Sequence, residues 1–121
     1  MKAELKGIYS DEFIPADHCP ENERSFWILL RLVIGPEGFD GGDDFGLEIV
    51  TPLWLAEHAL EPMWGRFMLI VDRWNFPEIQ QFVINYIDSC EGEDWTEVAS
   101  KLSRMFFWEF EDYVDLVSGD T

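Results

Sequence analysis

The sequence predicts an α+β domain: a mostly antiparallel sheet of about five strands, with two main helices and one short helix packed on it. Three observations predict it. Period-two apolar alternation fills most of the first half of the chain and is broken by glycine and proline. Helical stripes appear later, each behind a residue that can cap a helix. The 121 residues are 47% hydrophobic and 16% aromatic, enough for one core without disulfides or metals. Residues 1–121 therefore read as one domain.

The first strand runs from Lys2 to Tyr9, with Ala3, Leu5, Gly7 and Tyr9 on one face and Lys2, Glu4, Lys6 and Ile8 on the other. Asp11 to Arg24 is polar and carries prolines, the composition of a loop. Phe26 to Ile34 is apolar on both faces, as in a central strand, with Arg31 the one charge. Gly35-Pro36 stops it. Pro36 to Asp44 holds three glycines and four acids, and alternation resumes at Phe45, Leu47 and Ile49. The pair reads as a hairpin with a long acidic loop.

Thr51-Pro52 opens a short helix, with Thr51 as N-cap and Trp54, Leu55 and His58 on one face. Arg66 to Val71 follows Gly65 as a further strand. Asn75 caps the next helix, whose face holds Phe76, Ile79, Phe82, Val83, Tyr86, Ile87 and Cys90 until Gly92 breaks it. Asp94 opens the last helix with Glu97 three residues on, and Trp95, Val98, Ala99, Leu102 and Met105 form its stripe. Phe106 to Tyr113 returns to period two as a closing strand, and Val114 to Thr121 reads as a frayed tail. The order is β-β-β-α-β-α-α-β.

Charge excludes several functions. Asp and Glu number 25 against 8 Lys and Arg, a formal net charge of −17. Nucleic acid and anionic membranes need basic surfaces, so neither is expected as a partner. A basic protein would be drawn in at long range. Met1-Lys2-Ala3-Glu4 does not begin a secretory signal, and no apolar run reaches the roughly 20 residues of a membrane span, so the cytoplasm is expected. Cys19 and Cys90 are too few for a disulfide framework.

Motifs for chemistry fail one by one. Gly38-Phe39-Asp40-Gly41-Gly42 lacks the lysine of a phosphate loop and is ringed by acids. Asp40, Asp43, Asp44 and Glu48 do not follow calcium-loop spacing. His18, Cys19, His58 and Cys90 lack zinc spacing, and no nucleophile elbow is present. No catalytic residue, metal or cofactor is expected. What remains is acidic surface in three groups: Glu37, Asp40, Asp43 and Asp44; Glu91, Glu93 and Asp94; and Glu109, Glu111, Asp112 and Asp115. Phe107 and Tyr113 share a strand face with Glu109 and Glu111, the mixture a hot spot with a charged rim requires. The alternative packs Phe107 into a second core layer and leaves the acids solvated.

Several stretches also resemble a known family. They are Gly35-Pro36 after a long strand, Thr51-Pro52-Leu53-Trp54-Leu55, the block Ile79 to Cys90, and Trp95 to Arg104 followed by Trp108-Glu109-Phe110-Glu111-Asp112-Tyr113. Together, and in this order, they resemble the immunity protein 8 family of bacterial polymorphic toxin systems. The loops Asp11 to Arg24 and Phe39 to Gly46, and the tail after Val114, match nothing in it. The resemblance implies a small cytosolic protein that binds the C-terminal domain of a secreted or contact-delivered toxin and blocks it. Many such toxin domains are basic nucleases. It implies no catalytic residues, and the motif residues Trp54, Trp95 and Trp108 read as core rather than contact. The rival reading is an acidic nucleic-acid mimic acting on another DNA- or RNA-binding protein.

Overall fold

The computed structural model describes residues 1–111. Five strands and three α-helices follow the expected order: β1 (Ala3–Tyr9), β2 (Trp27–Pro36), β3 (Asp43–Val50), α1 (Pro52–His58), β4 (Met68–Ile70), α2 (Phe76–Asp88), α3 (Trp95–Leu102) and β5 (Phe107–Trp108). A single 3₁₀ turn, Pro15–Asp17, interrupts the long loop after β1. The sheet order is β1-β2-β3-β4, so β2 is central as its apolar run predicts. β5 pairs with β3 at Phe45 and Gly46, while β4 pairs with β3 from Glu48 to Val50. The two short strands thus share one edge of β3. The sheet is mostly antiparallel, with β4 lying parallel to β3, because the chain crosses over through α1 instead of turning back in a hairpin.

One face of the sheet makes the core. Ile28, Leu30, Leu32 and Ile34 of β2 and Phe45, Leu47 and Ile49 of β3 are buried against Ile79, Val83 and Ile87 of α2 and Val98, Ala99 and Leu102 of α3. The helix starts follow local chemistry. Thr51 Oγ1 accepts from Trp54 N, Asn75 Oδ1 from Glu78 N and Asp94 Oδ1 from Glu97 N. Thr51 is fully buried, and its hydroxyl also accepts from Phe26 N, joining the start of β2 to α1.

Four expectations change. The alternation of β1 is reset by a bulge: Leu5 faces Ile34, but Gly7 faces Val33 and Ile8 faces Leu32. Ile8 therefore turns to the core and Tyr9 away from it. The Tyr9 ring lies across Gly7, where a Cβ would stand 2.5 Å from its hydroxyl, so a larger residue there would push the ring aside. Among the described residues the closing strand is Phe107–Trp108, after which the chain turns with Glu111 N on Trp108 O, and the rest of the expected strand, Asp112 and Tyr113, lies outside the described residues. Phe82 and Met105 leave the core stripes for solvent. Trp95 and Trp108 pack on the core as expected, but α1 buries no residue, and Trp54 stacks instead on His58 at 4.5 Å and Trp27 at 6.4 Å.

Candidate partner-binding face

With both main helices on one side, the other side of the sheet faces water. The period of two along β2 turns Trp27, Leu29 and Arg31 outward, and the β1 bulge adds Tyr9 opposite Arg31. β5 adds Phe107 opposite Gly46, and Phe107 and Leu29 flank the space above that glycine. These apolar groups stay open: Tyr9 is 45% exposed, Trp27 42%, Leu29 52% and Phe107 53%. All but Trp27 line a shallow groove of about 200 Å³, together with Arg31, Asp44 and Glu109.

Polar contacts hold this face in shape. Trp27 Nε1 donates to Glu48 Oε1 at 2.8 Å. The Arg31 guanidinium lies 5.1 Å from the Tyr9 ring centre and 3.3 Å from both Asp44 oxygens. Asp44 N donates to Glu109 Oε1 at 2.8 Å. The carboxylates of Asp44, Glu48 and Glu109 thus rim an aromatic surface that carries the Arg31 guanidinium.

The predicted site residues fall as follows. Asp44, Phe107 and Glu109 come together on this face. Asp43, next in sequence, turns to the helix side, where its Oδ2 accepts from both Trp95 Nε1 (2.8 Å) and Trp108 Nε1 (3.0 Å). Glu111 is half-buried and bonded to Arg66 at 2.6 Å, beside Phe67 and Phe107. Glu37 and Glu91 flank Lys2: Glu37 N donates to Lys2 O, and Glu91 bridges Lys2. With Asp40 and Glu93, they are exposed at the same end of the sheet as the β2–β3 turn. A lowered Glu4 carboxyl belongs to this end too, held down by its hydrogen bonds from Lys6 and the Gly38 amide. Asp112 and Tyr113 lie outside the described residues.

Sequence reasoning missed Tyr9, Trp27, Leu29 and Glu48. Both faces of Phe26 to Ile34 are apolar, which marks a central strand but does not tell which face stays open. The available signal was Arg31 on the outward face, together with two main helices, enough to cover only one side. Among the described residues, no group of three or more His, Cys, Asp or Glu could hold a metal ion. None of their helices is long and apolar enough to cross a membrane.

Fold and surface define a class: a small, acidic α+β protein whose sheet carries helices on one face and offers aromatic groups on the other. The family is defined by comparison. Residues 3–113 match the family model of immunity protein 8, so the chain belongs to the immunity protein 8 family. That span covers all the stretches that carry the resemblance. No curated protein and no solved structure matches the chain. Membership implies an immunity protein of a toxin–immunity system, with a cognate toxin protein as partner.

Proposed function

We propose that the protein neutralises its toxin by pressing the open sheet face onto a basic toxin domain, without catalysis, in the cytoplasm of the producing cell. The carrying observation is the exposed set Tyr9, Trp27, Leu29 and Phe107 inside a rim of Asp44, Glu48 and Glu109. Water leaves such a centre on binding, and the aromatic rings supply slow dissociation. The rim and the net charge of −17 supply fast encounter with a basic surface. The acids Glu37, Asp40, Glu91 and Glu93 extend that field along one end of the sheet, and Asp112 and Tyr113 continue the chain beyond Glu111. A nuclease groove, lined with cations for nucleic acid, is the basic surface this complements best. Asp43 and Glu111 serve the face by holding its framework, each through an internal bond.

The test is co-expression of the chain with the C-terminal domain of the toxin encoded beside it. Survival and co-purification are expected with the native chain. Leu29→Arg places a cation at the centre of the face without touching the core. It is expected to weaken binding by about a hundredfold or more, the scale of a lost hot spot, with thermal stability unchanged. Protection that persists with Leu29→Arg at native affinity moves the interface elsewhere on the molecule.

A further inference from the structure

The connection between α1 and β4 carries a second apolar feature that neither the core nor the open face uses. Trp64 is 93% exposed, Leu60 81% and Met63 50%. Single exposed apolar residues are ordinary, but three within five positions make a patch, and tryptophan is the residue most enriched at binding hot spots. None of them stabilises the fold through burial.

Both ends of this loop are fixed by local contacts. Ala59 N donates to Leu55 O at 2.8 Å and ends α1. At the other end Phe67 adopts φ +66°, a left-handed conformation unusual for a bulky residue. Its ring stands edge-on to Phe107 at 5.5 Å, and the Arg66 guanidinium lies 4.2 Å from its centre. Arg66 is in turn bonded to Glu111. The residue that follows the loop is therefore fastened to Phe107, a member of the open face.

We propose that the Leu60–Trp64 segment is a hydrophobic anchor, with Trp64 and Met63 seated in an apolar hollow of the toxin domain beside the surface covered by the open face. This rests on the proposed function. Charge complementarity selects the occupant. At the base of the loop Glu111 is already paired with Arg66, but Glu61 within it and the net charge of −17 match a hollow with a basic rim, where an arginine can lie on the indole face. A second copy of this chain would bring the same negative charge and is disfavoured.

The test measures binding of the full chain to the toxin domain by surface plasmon resonance, with light scattering on the free protein. The native chain is expected to bind and to be monomeric alone. Trp64→Ala is expected to weaken binding by about thirtyfold or more, chiefly through faster dissociation, with an unchanged melting temperature, and Trp64→Phe to recover part of the loss. Native binding with Trp64→Ala and Met63→Ala each within about threefold overturns the anchor and leaves the open face standing. A free dimer that Trp64→Ala dissolves assigns the patch to self-association and also overturns it. No binding by the native chain removes the proposed function and the anchor together.

Discussion

Asp43 shows how one acidic residue can resemble surface in the sequence and act as framework in the fold. Its Oδ2 takes the indole N–H of Trp95, at the start of α3, and of Trp108, in β5. Both donors are half-buried, so removing their shared acceptor leaves two polar groups poorly satisfied. Asp43→Ala is expected to cost about 2 kcal/mol, read as a lower urea midpoint with unchanged slope. Asp43→Asn keeps an acceptor oxygen but loses charge assistance, and should cost about half as much. Equal midpoints for Asp43→Ala and the native chain would show that water replaces the carboxylate at no cost. The neighbouring Asp44 turns outward to Arg31, which is why a surface role could be read for both from composition alone. The partners that separate them lie 52 and 65 positions away, at a range where spacing carries no signal.

At the level of elements, what depends on neighbours in sequence was legible and what depends on neighbours in space was not. Thr51, Asn75 and Asp94 were read as caps because an N-cap acts on amides two or three residues on. The β2–β3 hairpin was read from its alternation, and its register pairs Leu30 with Leu47 and Leu32 with Phe45. The bulge in β1 and the turn that ends β5 after Trp108 are not legible, since one depends on the register with β2 and the other on a backbone bond from Glu111 N to Trp108 O. Of the candidate face, Asp44, Phe107 and Glu109 were legible, while Trp27 and Leu29 were hidden by an apolar run that looks the same whether one or both faces are covered. The tie between α2 and α3 is also spatial. Tyr86 Oη donates to Lys101 O at 2.6 Å, and burial together with the adjacent Cys90 pushes its pKa up to about 12. An unfolded tyrosine loses its proton near pH 10, about two units earlier. The folded state thus holds the proton more tightly, so this stability is complete below pH of about 10 and is lost as pH rises from there through about 12. Tyr86→Phe is expected to cost about 1 kcal/mol at neutral pH, and the gap from the native chain should narrow in denaturant titrations between pH 9 and about 11.5. A gap that stays constant across that window would show that the hydroxyl does not join the helices.

For the whole molecule the governing quantity is −17, and it acts on folding and on binding with opposite consequences. Five ion pairs are found among the described residues, those of Lys6, Arg24, Arg31, Arg66 and Lys101, which leaves most carboxylates without a cation. In the free protein these charges repel one another, so salt should raise its melting temperature. In the encounter with a basic toxin domain they attract, so salt should slow association. Screening lengths fall from about 10 Å at 0.1 M salt to about 3 Å at 1 M, which erases long-range steering but leaves contacts inside the interface nearly intact. The association rate is therefore expected to fall by about tenfold or more between 0.05 and 0.5 M salt, while the dissociation rate, set by Trp27, Leu29, Phe107 and their partners, changes by less than about threefold. The rising melting temperature of the free chain is the internal control, because it excludes salt-induced unfolding as the reason for slower binding. If association were indifferent to salt while the complex still formed, the acids would be there for solubility and the aromatic face alone would carry recognition. If instead dissociation quickened in step with slower association, the carboxylates would lie inside the interface, and the rim of Asp44, Glu48 and Glu109 would have to be redrawn as its centre.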